Sequence, residues 1–136
     1  MQDLSHHSAQ IVLSTIQAEL DRSGGGAAVA VVDHHGELVA LVRTDGCPLP
    51  SINNAINKAY TAARERKPSR DVGDAARQDH FPITNFGDLR YTGWGGGVPL
   101  VVGNDVVGAV GVSGLPEADD VALAELGASA LAGTST

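Results

Sequence analysis

One lysine of this 136-residue chain stands where a charged group could do chemistry. Lys58 lies in the Ala-rich segment NAINKAYTAA, at the edge of an apolar helical stripe. An ammonium group that is partly buried needs an acidic partner, and Asp45 or Asp120 could supply it. The pattern leaves two interpretations open, a functional site residue or a structural ion pair.

Glycine and aromatic residues come together further along the chain, in the segment RYTGWGGGVPL. Its three consecutive glycines could cradle an anion with their backbone N–H groups, or could simply form a tight turn into a strand. Trp94, the only tryptophan, could stack on a planar ligand or anchor a subunit contact. Arginine side chains can hold a carboxylate. We therefore predict ligand-binding roles for Arg43, Arg90, Tyr91, Trp94, Gly95, Gly96 and Gly97.

Histidines supply the candidates for metal ligation. The five histidines show no His/Cys spacing that is typical of a zinc site. His6, His7 and His80 are candidate axial ligands of a macrocycle, with His6 and His7 as the predicted metal ligands, and a solvated surface position is the alternative for each. In an enzyme, other side chains would have to move a proton. The predicted catalytic residues are Lys58, Asp45, Asp120 and His80.

Composition restricts the classes of binding partner and the cellular compartment that we expect for this protein. A net charge of −7 argues against nucleic-acid binding and against attraction to an anionic membrane. The single cysteine, Cys47, excludes an intrachain disulfide and favours the reducing cytoplasm. The acidic, His-rich start of the chain does not resemble a signal peptide, and no apolar run has the length of a membrane span. We therefore expect a cytoplasmic protein that binds a small molecule.

Hydrophobic periodicity predicts an α+β fold in a single domain over residues 1–136. Helical spacing of apolar residues predicts helices over 4–22, 51–64 and 117–131, with a short polar helix over 69–78. Apolar runs bounded by turn residues predict strands over 27–33, 37–43, 98–102 and 106–112, and a short strand over 90–92. Gly108 and Gly111 inside a strand indicate a close approach by a helix or another subunit. The result is an antiparallel sheet of about five strands with flanking helices.

Three segments together resemble the GlcG/HbpS-like family and the C-terminal domain of PduO-type proteins. They read AVVDHHGELVALVRTDG, NAINKAYTAA and GWGGGVPLVVGNDVVGAVGVSGLPEADDVALAELG, in that order along the chain. The resemblance implies a profilin-like (PAS-like) fold with a five-stranded antiparallel sheet. It also implies a homo-oligomer, from a dimer to an octamer, and heme as a cofactor of some members.

The sequence therefore leaves two main functions open. The first is a small oligomeric ligand-binding protein that holds heme or another small planar or acidic ligand. The second is an isomerase, tautomerase or lyase that acts on a small carboxylate or enol metabolite in aromatic or hydroxy-acid catabolism. A purely structural or regulatory partner, with the glycine surface as an oligomer contact, is a third alternative.

Overall fold

A computed structural model of the chain describes residues 3–132. Its elements follow one another in the order helix, hairpin, two helices, a 3-10 turn, hairpin, helix. They are α1 (His6–Ser23), β1 (Ala28–Asp33), β2 (Leu38–Arg43), α2 (Ser51–Glu65), α3 (Ser69–Gln78), a 3-10 turn (Ile83–Phe86), β3 (Gly97–Val102), β4 (Asp105–Ser113) and α4 (Glu117–Ser129). The α+β class predicted from the sequence is confirmed.

The four strands form one antiparallel sheet in the order β2-β1-β4-β3. Strand β1 lies in the centre because its side chains are apolar on both faces, and Ala28–Val32 are all buried. Ala28 pairs with Ser113 of β4, and Asp33 pairs with Gly108. Strand β4 therefore ends beside the start of β1, at one end of the sheet.

Helices cover both faces of the sheet. On one face α1 and α4 pack on the sheet through the larger side chains of the core, including Ile16 and Leu20 of α1 and Leu100 of β3. On the other face α2 presents a stripe of alanines to the sheet, among them Ala55, Ala59 and Ala62. The alternation of inward residues along β4 follows this division, with Ala109 facing α2 and Val110 facing α1 and α4.

Helix α2 approaches the sheet so closely that two strand positions have no room for a side chain. A Cβ on Gly111 would lie 2.1 Å from the carbonyl oxygen of Ala55, and one on Gly97 would lie 2.1 Å from that of Lys58. Gly111 therefore serves the packing of a helix on the sheet, as its place inside a strand indicates. Gly108 differs, because a Cβ there would meet the Val32 carbonyl oxygen of the neighbouring strand at 2.2 Å.

The prediction of a strand over residues 90–92 is wrong, and within residues 3–132 the sheet has four strands rather than five. The backbone N–H of Tyr91 donates to the carbonyl of Asp88 in a turn. The next N–H, from Thr92, donates to the hydroxyl of Thr61 on α2 at 3.0 Å. Because this segment bonds to a helix side chain, it runs beside α2 and adds no strand to the sheet. Within residues 3–132, no helix combines the length and apolarity needed to cross a lipid bilayer.

Candidate functional site

The end of the sheet where β4 stops brings α2 and α4 together. Gly114 follows β4 with a positive φ of 137°, a backbone conformation that suits glycine. Pro116 then precedes α4, whose first turn carries Glu117, Asp119 and Asp120. Acidic groups are favoured there by the helix dipole, so the local sequence places carboxylates at this end of the sheet.

Lys58 reaches from α2 to this corner and makes a buried ion pair. Its Nζ donates to the Val112 carbonyl at 2.9 Å and to Oδ2 of Asp120 at 3.2 Å. Only 3% of Lys58 and 2% of Asp120 are exposed. Oδ1 of Asp120 accepts the backbone N–H of Leu115 at 3.1 Å. Of the two acidic partners left open by the sequence, Asp120 is the one in contact.

Burial and the ion pair act in opposite directions on Asp120. Removal from water raises the pKa of its carboxyl, while the Lys58 ammonium and the backbone N–H groups lower it, and burial prevails. A carboxyl group with a raised pKa beside an ammonium group is a combination that active sites use, and structural ion pairs show it as well.

The three consecutive glycines pack beneath this pair. The N–H of Gly95 donates to Oε2 of Glu117 at 2.7 Å, and the N–H of Gly97 donates to the hydroxyl of Ser69 at 2.9 Å. Gly96 has a positive φ of 126°, and a Cβ there would lie 3.0 Å from Nζ of Lys58. Two of the three N–H groups considered for anion binding are thus used inside the protein, and the glycines give Lys58 its space.

A cavity of about 630 Å³ opens above the ion pair, and we call it the Lys58 cavity. This volume lies within the usual range for small-molecule sites. Trp94 is 59% exposed and contributes to its rim. The lining consists of Pro48, Ser51, Lys58, Arg77, Trp94, Ser113, Gly114, Leu115, Glu117 and Asp120.

Arg90 and Tyr91 lie in a different place, which we call the Tyr60 cluster (Tyr60, Asp88, Arg90, Tyr91 and Glu65). The fully buried Tyr60 donates its hydroxyl to Asp88 and accepts from Arg90 at 2.9 Å. The Arg90 guanidinium lies 3.8 Å from the centre of the Tyr60 ring. Tyr91 donates to Glu65 at 2.6 Å. These contacts fasten the segment before β3 onto α2.

The protonation states of Tyr60, Asp88 and Tyr91 follow from those contacts. Burial, reinforced by the hydrogen bond to Asp88, raises the pKa of Tyr60. The same bond holds the pKa of Asp88 below its usual value. Burial and the neighbouring Glu65 raise the pKa of Tyr91 strongly. Both tyrosines are therefore held as neutral hydrogen-bond donors.

The remaining predicted residues lie away from the Lys58 cavity. Arg43 and Asp45 are exposed and line a separate shallow surface with Cys47, whose thiol pKa is raised by burial. His80 is exposed just after α3, with a positive φ of 59°.

His6 and His7 are exposed in the first turn of α1. That turn lies at the opposite end of the sheet, since Leu4 packs near Gly108 while the end of α1 lies near Leu115. No group of three or more His, Cys, Asp or Glu side chains within residues 3–132 is arranged to hold a metal ion.

The polar lining residues Ser51, Arg77, Ser113 and Glu117 are not among the predicted site residues. Ser51 begins α2 and Arg77 lies in the last turn of α3, and both resemble ordinary helix-terminal residues. The spacing of Ser51 and Lys58, seven residues apart, would place them on one helix face and was the available signal. Nothing in the sequence brings Arg77 to the cavity, because that requires the packing of α3 beside the glycine segment.

Comparison with known proteins identifies relatives over most of the chain. Residues 4–129 match the family model "Haem degrading protein HbpS-like". Protein GlcG of Escherichia coli K12 is 33% identical over 110 residues, which cover 81% of each chain. An uncharacterized 15.0 kDa protein from the dhaT-dhaS intergenic region of Citrobacter freundii is 36% identical over 100 residues, 71% of this chain and 69% of its own.

Solved structures share the fold. The crystal structure of protein ORFY from Klebsiella pneumoniae has a TM-score of 0.90 at 23% identity, covering 99% of this chain and 94% of its own. A double mutant of Streptomyces reticuli HbpS gives 0.86 at 26% identity, covering 96% and 88%. The PduOC:heme complex gives 0.87 at 22% identity, covering 96% of both chains. By its sequence match and its fold, this chain belongs to the HbpS-like family.

Proposed function

We propose that this protein binds a planar organic acid in the Lys58 cavity. One observation carries the proposal: an exposed aromatic ring, Trp94, and two cationic side chains, Lys58 and Arg77, line a single cavity of ligand size. The indole supplies a face on which a flat ring can stack. The cations supply attraction for a carboxylate.

The acidic side chains of the cavity do not prevent an anion from binding. Asp120 is neutralised by Lys58 and accepts a further backbone N–H. Glu117 accepts the N–H of Gly95. Arg77 adds a positive charge, although its guanidinium also contacts Asp74 at 2.6 Å. The cavity is thus close to charge balance and can accept one more negative group.

A nuclear magnetic resonance titration tests this function directly. Because Trp94 is the only tryptophan, the indole N–H gives a single resonance that reports on the cavity rim. We expect 2-naphthoate or protoporphyrin IX to shift this resonance and the amide resonances of Gly95, Ser113 and Gly114 in a saturable way. If both compounds leave these resonances unmoved at millimolar concentration, the proposed function is wrong.

Heme is the cofactor that the family name and one structural relative suggest, and the Lys58 cavity does not fit its iron. Iron in heme takes an axial His, Cys, Met or Tyr, and the cavity lining contains none of these. Its one amine, on Lys58, already makes two hydrogen bonds. A tetrapyrrole ring in this cavity would have to be held by its ring face and carboxylates alone.

His6 and His7 favour a second candidate, heme ligation at the start of α1. Their rings are exposed, with centroids 4.3 Å apart. Imidazole is a common axial ligand, and these residues would hold the iron there. Adding hemin should then give a Soret band different from that of free hemin. The band should return to the free form in the His6→Ala/His7→Ala/His80→Ala variant and persist in His35→Ala; persistence in the triple variant would exclude ligation by these histidines.

Asp120 favours an enzymatic version of the same cavity. A buried carboxyl with a raised pKa, beside the Lys58 ammonium, could take a proton from the carbon next to a carbonyl while the ammonium stabilises the enolate. Asp45 and His80 lie elsewhere and would take no part. Deuterium exchange into phenylpyruvate tests this version, which is wrong if wild type and Asp120→Asn exchange at the same rate.

Self-association is the partner interaction that we propose. Large apolar side chains are exposed on the edge strand β2 and on neighbouring loops, including Leu38, Leu41 and Leu89. Exposed apolar groups of this size favour contact with another copy. Light scattering after size exclusion should report a mass above the 13.9 kDa of one chain, and a monomer at micromolar concentration would remove this proposal.

A further inference from the structure

Two largely buried serines line the Lys58 cavity, and their hydroxyls have no hydrogen-bond partner among residues 3–132. Ser51 is 6% exposed and Ser113 is 5% exposed, and both line the cavity. No hydrogen bond to either hydroxyl occurs among the described residues, although Ser69, the other buried serine of that part of the chain, bonds twice. Every fully enclosed side-chain polar atom within residues 3–132 has a hydrogen-bond partner, so these two hydroxyls open onto the cavity, where a ligand can reach them.

Packing places the two hydroxyls at the same end of the α2–β4 contact. Gly111 of β4 lies against Ala55 of α2. Ser51 is one helical turn before Ala55, and Ser113 is two residues after Gly111, on the same face of the strand. One turn of helix and two strand residues span similar lengths of about 6 Å. Ser51 and Ser113 therefore face each other next to that contact, at the cavity.

Lys58 adds a third donor to this place. An ammonium group has three N–H bonds, and two of them are used by Val112 and Asp120. The acceptor Val112 directly precedes Ser113, which keeps the ammonium close to that serine. The remaining N–H has no acceptor among the described residues, and Lys58 lines the cavity.

The N-terminus of α2 adds a partial positive charge close to the Lys58 ammonium. Helix α2 has no side-chain cap at its N-terminus. The N–H groups of Ile52 and Asn53 find no acceptor among the described residues, and a helix N-terminus favours an anion. Pro48 and Ser51 bring this turn to the cavity.

We propose that Ser51, Ser113 and Lys58 bind the carboxylate of the ligand, and we call these three residues the carboxylate seat. This inference rests on the proposed function, because it names which part of the Lys58 cavity holds the acid. One carboxylate oxygen would accept from the serine hydroxyls, and the Lys58 ammonium would supply the charge. The ring of the ligand then extends toward Trp94 at the rim.

The experiment compares 2-naphthoate with 2-naphthamide, which has the same ring and no charge. Binding is measured from the amide and indole resonances of wild type and of the Ser51→Ala/Ser113→Ala variant. We expect wild type to bind the carboxylate about 10-fold more tightly than the amide or better, and the variant to lose that preference. Ser51→Thr, which keeps a hydroxyl, should retain it, and Ser14→Ala on the exposed face of α1 is the matched control.

Stability measurements separate the seat from a structural role. Because neither hydroxyl bonds to any other residue within 3–132, the double variant should unfold at the same urea concentration as wild type or a higher one. A clearly lower midpoint would show that the hydroxyls serve the fold and would overturn the seat.

Binding outcomes separate the seat from the function. A preference for naphthoate that survives in the double variant overturns the seat and leaves cavity binding intact, as does equal binding of naphthoate and naphthamide by wild type. Resonances that neither compound moves overturn the seat and the proposed function together.

Discussion

In the Tyr60 cluster the polar groups are paired with one another, whereas the Lys58 cavity presents two hydroxyls that have no partner among the described residues. Both regions lie along α2 and both combine charged and aromatic side chains. In the cluster the Tyr60 hydroxyl both donates and accepts, to Asp88 and from Arg90. In the cavity the bonded groups form a floor, and Ser51 and Ser113 face the opening.

This difference separates a structural network from a binding site. A satisfied network stabilises one conformation and has nothing left for a ligand to bind. Hydroxyls that open onto a cavity and have no protein partner are free to pair with a ligand that enters it. Substitutions in the cluster should therefore change stability, and those in the cavity lining should change binding.

The largest effect on stability is expected at the Lys58–Asp120 ion pair, which lines the cavity and also contributes to the fold. Lys58→Ala leaves the Asp120 carboxylate buried without its partner, and loss of one member of a buried pair costs about 3–5 kcal/mol. Urea unfolding followed by circular dichroism measures this loss. The Lys58→Met/Asp120→Leu variant should recover much of it, because an apolar pair removes the buried charge.

Lys67 provides the control for that substitution. It is the chain's only other lysine and is exposed. Lys67→Ala should therefore leave the free energy of unfolding within about 0.5 kcal/mol of wild type. Equal effects at Lys58 and Lys67 would mean that the buried pair does not contribute to stability.

Removal of one hydroxyl from the Tyr60 cluster should have the next largest effect. Tyr60→Phe leaves Asp88 and Arg90 without a shared partner and should lower the free energy of unfolding by about 1–2 kcal/mol. The affinity for 2-naphthoate should stay as in wild type. Weaker binding at unchanged stability would reverse the assignment of the two regions.

The sequence was sufficient to predict the main helices and strands and the buried charge of Lys58. Continuous apolar runs predicted β1 and β4, and Gly111 inside a strand indicated a close approach, which α2 makes. The position of Lys58 at the edge of an apolar stripe predicted a partner, and Asp120 is that partner. Each of these features is set by local pattern or by the cost of burying an unpaired charge.

Contacts between residues that are far apart in the sequence could not be predicted in the same way. Arg90, Tyr91 and Trp94 are close in sequence and suggested one site, yet the turn after Asp88 and the bond from Thr92 to Thr61 direct Arg90 and Tyr91 onto Tyr60. Trp94 alone reaches the cavity. Ser51 could be found only through its helical spacing to Lys58, because a serine at the start of a helix is otherwise ordinary.

Alkaline pH should weaken the fold through the Tyr60 cluster. The chain has two tyrosines, Tyr60 and Tyr91, and folding raises the pKa of both. The folded state therefore holds these protons more tightly than the unfolded state, and the stability this provides is complete below about pH 10 and is lost as the pH rises above it.

The measurement is the urea midpoint at a series of pH values from 8 to 11. Wild type should lose stability above about pH 10 more steeply than Tyr91→Phe, and tyrosinate absorbance should titrate above the ordinary tyrosine pKa. Parallel curves for the two proteins would show that Tyr91 is not shielded in the fold. This dependence belongs to the cluster, and binding at the cavity should not follow it.

The smallest effect is expected at the rim of the cavity, where two arginines of α3 give a matched pair. Arg77 and Arg70 are both exposed, and both contact Asp74, at 2.6 Å and 4.0 Å. Only Arg77 lines the Lys58 cavity. An exposed charge contributes modestly, so Arg77→Ala should weaken 2-naphthoate binding by about 2–5-fold and Arg70→Ala should leave it unchanged. Both variants should keep the free energy of unfolding within about 0.5 kcal/mol of wild type. If the two variants weaken binding equally, the effect comes from the net charge of α3, and the rim does not contact the ligand through Arg77.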